Sequence, residues 1–367
     1  MPPPETALAP MTLSGSALLE ATIMLLVFIG VLFAGSLFVP GRVLVLTDAD
    51  GTGRTFKLNG FALFLLVAAV AALAQYLGWF SLSSLYSHFA ALFVMANVFA
   101  FAFSGWLYRR GAGKPNAEEG FRRGFFMGRE LNPTCMGVDL KMFSYRPSLI
   151  GLALLNVSFA VVQYETYGEL TLGMTLYQVF TFLYVFNYFQ FEQGMIHTWD
   201  IVSERFGWML VWGDYVLVPF FYCLAGWWLV DASGPALPPI AAVGIVLLFV
   251  FGFWVFRGSN EQKHRFRQDP DTRIWGKPAE TLDGRLLVSG FWGIGRHLNY
   301  TGEICIYLSF ALTTGFVSWA PFLLPAWLTA LLVQRSRRDE RRCRAKYGEL
   351  WERYTQRARF VMVPYVY

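Results

Sequence analysis

Every lysine and arginine of this chain, 30 in all, falls in alternate connections between apolar runs long enough to cross a bilayer. The basic residues cluster at Arg42 to Lys57, Arg109 to Arg146, Arg205, Arg257 to Arg285, Arg296 and Arg335 to Arg359. The intervening connections, around residues 80–87, 166–171, 231–239 and 317–322, hold none. Membranes retain basic loops on the cytoplasmic side, so the asymmetry predicts an N-terminus outside and a cytosolic C-terminus. Composition points the same way: 55% hydrophobic, 15% charged and a mean hydropathy of +0.43 are outside the range of a soluble chain of this length. The net charge of +5 suits lipid headgroups, so the expected surroundings are a lipid bilayer and not nucleic acid.

The apolar runs set the fold class, an all-α integral membrane protein of about nine or ten helices. The expected spans are Ala17 to Val39, Phe61 to Trp79, His88 to Tyr108, Ser148 to Val162, Leu172 to Phe189, Gly207 to Val230, Ile240 to Phe256, Cys305 to Phe316 and Leu323 to Val333. Pro219, Pro321 and Pro325 are positioned to break or tilt some of them. Residues 1–16 are Pro-rich, lack a basic signal region and read as a disordered tail. Residues 17–367 read as one polytopic domain, with substrate-side helices over about 17–235 and a cofactor-binding part over about 236–367. The four cysteines form no CxxC pair and the four histidines no HExxH, so no metal site is expected.

Two regions are too polar for lipid. Arg285 to Glu303 mixes Gly290, Gly293, Gly295 and Gly302 with Trp292, Arg296, His297, Asn299 and Tyr300, just before an apolar run. Irregular backbone at membrane depth survives only against protein or a watery cavity, so the stretch reads as the wall of a buried site for an anionic ligand. The second region holds Glu192, Asp200, Glu204 and Asp214. A carboxylate at a helix centre costs on the order of 2.5 to 3.5 kcal/mol, so such acids face a cavity or a partner. On a continuous helix Asp200 and Glu204 would be i,i+4 neighbours, a pairing that keeps a proton available. The plainer reading has these acids capping helices and orienting basic partners.

Seven motifs then come in a recognisable order: GRELNP (128–133), DLKMF (139–143), WDIVSERFGWMLVWGD (199–214), FRGSNEQKHRFR (256–267), LLVSGFWGIGRHLNYTGE (286–303), RRDERRCRAKYGELWERY (337–354) and a closing PYVY. Through them the chain resembles the membrane sterol reductases, the family of sterol Δ14-reductase, 7-dehydrocholesterol reductase, the sterol C24 reductases and the C-terminal part of lamin B receptor. The resemblance implies reduction of an isolated sterol double bond with NADPH, held among C-terminal helices and not in a Rossmann domain. It places Lys263, Arg267, Leu287, Trp292, Asn299, Tyr300, Arg335, Asp339 and Tyr347 around that cofactor; Arg296 is added from its position. The basic groups would meet phosphates, Trp292 and Tyr347 rings, and Asn299 and Asp339 amides and hydroxyls.

An unactivated alkene must take a proton as well as a hydride, so the site needs an acid. Candidates are Glu192, Asp200, Glu204 and Asp214, with Tyr300 as a relay. The chain departs from the family pattern at Thr134, Ser148 and Leu298. WGD and NYTGE resemble the ring-bond reductases and favour C14 over C7, whereas QYETYG and TWD resemble the C24 enzymes. An isoprenylcysteine-type methyltransferase using S-adenosylmethionine, an enone reductase of the 5α type and a non-catalytic sterol binder remain the alternatives. The expected membrane is a bacterial inner membrane or the endoplasmic reticulum.

Overall fold

The computed structural model describes residues 13–47, 53–114, 120–316 and 318–367. The chain forms two compact units, one ending at Gly234 and the other running from Pro235 to Tyr367. Of the tail expected over residues 1–16, residues 1–12 lie outside the described residues. Gly15 and Ser16 are already helical, because the Ser14 hydroxyl caps the helix by accepting the Ala17 N–H at 3.1 Å.

In the first unit, α1 (Gly15–Phe38) leads into a hairpin of β1 (Arg42–Thr47) and β2 (Gly53–Leu58), then α2 (Gly60–Tyr76), α3 (Ser83–Ser87), α4 (Phe89–Arg110) and α5 (Phe121–Phe126). A two-residue ladder, β3 (Thr134–Cys135) with β4 (Val138–Asp139), precedes the long α6 (Leu140–Tyr167) and α7 (Leu172–Gln190). A 3₁₀ turn (Glu192–His197), α8 (Trp199–Val202), α9 (Trp208–Trp212), a π-helical segment (Gly213–Phe221) and α10 (Leu224–Leu229) complete the unit. Helix α6 forms its centre, since both charged and apolar residues along it are buried. Asp139 caps α6 by accepting the Met142 N–H at 2.8 Å, and Gly168 ends it at φ 78°. The helix therefore starts eight residues before the expected Ser148 and takes in Pro147, so most of VDLKMFSYRP is helix and not connection.

The GRELNP segment is placed by a backbone crossing. Gly128 has φ 97°, and a Cβ there would sit within 2.6 Å of Phe206 and Gly207 backbone atoms. The Phe206 N–H donates to the Glu130 carbonyl at 2.9 Å. Two motifs far apart in sequence are thus one seam, which only glycine permits.

In the second unit, α11 (Pro239–Gln268) is followed by two small antiparallel ladders: β5 (Arg273–Ile274) with β6 (Lys277–Pro278), and β7 (Thr281–Leu282) with β8 (Leu286–Leu287). Then come α12 (Phe291–Ile294), α13 (Leu298–Leu312), a 3₁₀ turn (Ala320–Phe322), α14 (Leu323–Tyr347) and α15 (Glu349–Arg357). Helices α11 and α13 cross glycine to glycine: a Cβ on Gly302 would meet the Gly252 carbonyl at 2.6 Å, and one on Gly252 would meet the Gly302 carbonyl at 2.8 Å. Small residues bring membrane helices into this kind of backbone contact.

The fold is helical, as expected. Among the described residues five helices are long and apolar enough to cross a membrane: Gly15–Phe38, Phe89–Arg110, Leu140–Tyr167, Trp208–Leu229 and Pro239–Gln268. Gly60–Tyr76 is apolar but shorter. The remaining expected spans are helices that are short or rich in polar groups. Helix α11 runs twelve residues past Phe256, carrying the FRGSNEQKHRFR motif, and α14 runs past Val333 to Tyr347. Both stretches had read as connections because they are charged. Their charges pair along the helix, Glu261 meeting Arg257 and Arg265 at 2.7 Å each.

Candidate functional site

The acids of the first unit do not form one cluster on one helix. Glu192 lies in the 3₁₀ turn, 5% exposed, where one carboxylate oxygen accepts the Gly60 N–H at the start of α2 (2.9 Å) and the other meets Arg146 (3.2 Å). Arg146 also donates to the Ser36 hydroxyl and to the Lys57 carbonyl at 2.8 Å. Burial raises Glu192 above the usual carboxylate range, while Arg146 and the Gly60 amide pull it down. The arrangement ties α1, α2 and α6 together and gives Glu192 a structural task.

Asp200 and Glu204 are not i,i+4 neighbours on a helix. Helix α8 stops at Val202, and Ser203 leaves helical geometry at φ −134°. The cause is Lys141, 1% exposed on α6, whose ammonium donates to the carbonyls of Asp200 (2.6 Å), Ile201 (3.0 Å) and Glu204 (2.6 Å). A lysine at a helix C-terminus satisfies carbonyls that the helix leaves open. The Glu204 side chain accepts the Trp199 indole N–H at 2.6 Å.

Asp214 is different. It is 8% exposed on the π segment, within electrostatic reach of Asp200 and Lys141, and no described side chain donates to it. Next to it Tyr215 exchanges a hydrogen bond with Ser144 at 3.1 Å, which brings the π segment against α6 at Tyr145. The Tyr145 ring lies 6.1 Å from that of Tyr188 on α7. The Tyr188 hydroxyl is enclosed, has no hydrogen-bond partner among the described residues, and lies in the field of Glu192 and Asp214. An orphaned buried hydroxyl costs about 1 to 3 kcal/mol, which marks it as a group with another use. Tyr188 was not singled out in the sequence because the run Tyr177 to Phe191 is aromatic throughout and reads as packing.

The second unit brings most of the expected cofactor residues together. Lys263 on α11 sits 4.3 Å over the Trp292 ring and within electrostatic reach of Arg267, Asp339 and Cys343. Trp292 is anchored by its indole N–H to the Ser259 carbonyl (2.9 Å) and packs with Leu287, Phe266 and Ile274. Arg335, Asp339, Cys343 and Tyr347 recur every four residues along one face of α14. The Cys343 thiol, pushed up to about 11 by burial and by Asp339, stays protonated and lies 3.9 Å from the Asp339 carboxylate. Arg267 is exposed, Arg335 lies near Glu303, and the Arg285 guanidinium covers the Tyr347 ring at 5.4 Å.

At the start of α13, Asn299 donates weakly to Asn260 at 3.4 Å, and its buried Oδ1 receives no hydrogen bond. Tyr300 stacks on His297. Arg296 is spent on the chain itself: Nε donates to Glu340 at 2.6 Å, and Nη1 to the Ala358 (2.6 Å) and Arg359 (3.2 Å) carbonyls. It fastens the segment after α15 to the start of α13 and does not join the group around Lys263. Three cations, a ring platform and an orphaned amide oxygen fit a phosphate-bearing dinucleotide. No group of three or more metal-ligating side chains occurs among the described residues.

Residues 11–367 match the ergosterol biosynthesis ERG4/ERG24 family. A protein of Methylotuvimicrobium alcaliphilum named Delta(14)-sterol reductase is 40% identical over 87% of this chain and 76% of its own. An Arabidopsis thaliana protein of the same name is 37% identical over 94% of this chain and 95% of its own. A probable 7-dehydrocholesterol reductase of Acanthamoeba polyphaga mimivirus is 32% identical over 85% and 72%.

Proposed function

The chain belongs to the ergosterol biosynthesis ERG4/ERG24 family, and on that premise we propose that it is a membrane enzyme that reduces a sterol carbon–carbon double bond with NADPH, acting at C14 before C7. The choice of C14 rests on the names of the relatives at 40% and 37% identity. The observation that carries the choice of cofactor is the cluster in the second unit in which Lys263 lies over Trp292 within electrostatic reach of Arg267 and Asp339, with Arg335 on the Asp339 face of α14.

Lys263, Arg267 and Arg335 would bind the phosphates, the 2′-phosphate included; Trp292 supports Lys263 from below, and Asn299 offers its free oxygen to an amide. NADPH supplies hydride when bound there. The chain itself must supply the proton. Tyr188 is the proposed donor, its hydroxyl held without a competing partner; Asp214, within electrostatic reach, would in its protonated form pass a proton to the resulting tyrosinate and be refilled from solvent. Protonation of one alkene carbon would develop tertiary positive charge at the other, where bound NADPH would supply the hydride, and such a step needs water excluded. Glu192 and Glu204 keep structural tasks. The basic ends of α11 and α14 and the tail after them belong in the cytosol on this reading.

The test is incubation of purified protein with NADPH and, separately, Δ14, Δ7 and Δ24 sterols, with products read by mass. Gain of two hydrogens by the Δ14 sterol alone is expected. Absence of NADPH binding would overturn the reading and return the methyltransferase alternative. Asp339→Ala is expected to lower kcat/KM for NADPH about tenfold, roughly 1.4 kcal/mol, chiefly through a raised KM.

A further inference from the structure

A cavity of 150 Å³ lies in the first unit where the end of α1, strand β2, the β3–β4 turn and the start of α6 meet. Its wall is apolar at Leu37, Phe56, Met142 and Phe143 and polar at Lys57, Asp139 and Arg146. None of the residues assigned to the cofactor or to proton supply is on it. Arg146 is 2% exposed, with Nη1 engaged by the Ser36 hydroxyl and Nη2 by the Lys57 carbonyl and Glu192. Its Nε–H is enclosed and has no acceptor among the described residues. Buried donors are nearly always paired, so an unpaired one on a cavity wall points to an acceptor brought by the occupant.

Charge and size narrow that occupant. Glu192 balances Arg146 at 3.2 Å, and the Lys57 ammonium donates to the Leu37 carbonyl at 2.7 Å, with Asp139 on the same wall. The wall therefore lacks the uncompensated cations that hold a phosphate. Burial raises the Asp139 carboxyl and the Met142 amide pulls it down; charged or neutral, it can accept from a hydroxyl. An apolar cavity of 150 Å³ is the size that takes one benzene ring. Met136, also on the wall, is 74% exposed and has φ 50°, with Gly137 at 80°. Positive φ in a two-residue turn favours Asn, Asp or Gly, so methionine is a costly choice there; its flexible thioether suits a cover that adapts to what enters.

We infer that this cavity is the subsite for the hydroxyl-bearing terminal ring of a sterol, the hydroxyl accepting from the Arg146 Nε–H and donating to Asp139, with Met136 as the cover. The inference rests on the sterol reading above. The cavity holds that one ring, and the other rings extend beyond it. Arg146 also acts through its charge on the Tyr188 hydroxyl, so the group that grips one end of the molecule stands near the proposed proton donor. A substrate held by its hydroxyl is oriented as well as bound, which an apolar pocket alone does not achieve.

The test measures binding of a tritiated Δ14 sterol to the full chain in detergent micelles without NADPH, in competition with the unlabelled sterol, its 3-O-methyl ether, phosphatidylglycerol and phosphatidylcholine. The sterol should compete at least about tenfold better than the ether, which cannot donate to Asp139. Phosphatidylglycerol should compete no better than phosphatidylcholine. Val138→Phe, which puts a ring into the cavity from its wall, should weaken sterol binding about tenfold or more, and Met136→Asn should weaken it while melting no lower than the parent. NADPH binding should be unchanged in both variants, which shows that they are folded. Equal competition by sterol and ether, or unchanged sterol affinity in Val138→Phe, would overturn the subsite. So would stronger competition by phosphatidylglycerol, which would give the cavity to a lipid headgroup. A parent protein that reduces a sterol yet gives any of these results loses the subsite alone; one that neither binds nor reduces any sterol loses the sterol reading with it.

Discussion

Tyr188→Phe is expected to cut sterol turnover by about 10² to 10⁴-fold, the usual worth of a positioned general acid. NADPH affinity and thermal stability should stay at the level of the parent protein. The change removes one oxygen whose hydrogen-bonding capacity is unused within the described structure, so nothing in the fold loses a partner. Turnover is measured under saturating cofactor with a Δ14 sterol, and a melting curve is taken on the same preparation. If the phenylalanine variant turns over at the parent rate, Tyr188 is not the donor, and Asp214 inherits the role alone.

Glu192→Leu is expected to act on stability. Removing one member of a buried ion pair leaves the other uncompensated, at a cost of about 3 to 5 kcal/mol. Here Arg146, 2% exposed, would be that remaining member, and the Gly60 amide would lose its acceptor as well. The double substitution Glu192→Leu with Arg146→Met should recover much of the loss, because two desolvated charges then disappear together. Recovery will be incomplete, since Ser36 and the Lys57 carbonyl lose the guanidinium too. Detergent melting temperatures of the parent and the two variants decide the matter. A single variant as stable as the parent would show that the pair contributes nothing, and would reopen a catalytic reading of Glu192.

Much of the fold was legible because its physics is one-dimensional. A run such as Ala17 to Val39 announces an apolar helix by composition alone. Helix ends were less legible where charge and helix coincide. The segments Arg257 to Gln268 and Arg335 to Tyr347 read as loops, yet they continue α11 and α14 without a break. The acidic region shows the opposite failure. Spacing placed Asp200 and Glu204 on one helical face, but a lysine 59 positions away in sequence takes the carbonyls on which that helix would have continued. No local pattern reveals such a partner. Tyr188 escaped for a related reason: what distinguishes it from the aromatic residues around it is an unmet hydrogen bond, which only the packed structure exposes.

Helix α11 has 30 residues, about 45 Å of rod at 1.5 Å per residue, against a hydrocarbon layer of about 30 Å. One continuous element therefore has a greased end and a wetted end. On the proposed function, Lys263 and Arg267 stand on the charged end of this rod, so the phosphates of a dinucleotide would meet them without entering oil. On that reading the reagent that travels through the aqueous phase and the substrate that travels within the leaflet would each be handled in the solvent they arrive in.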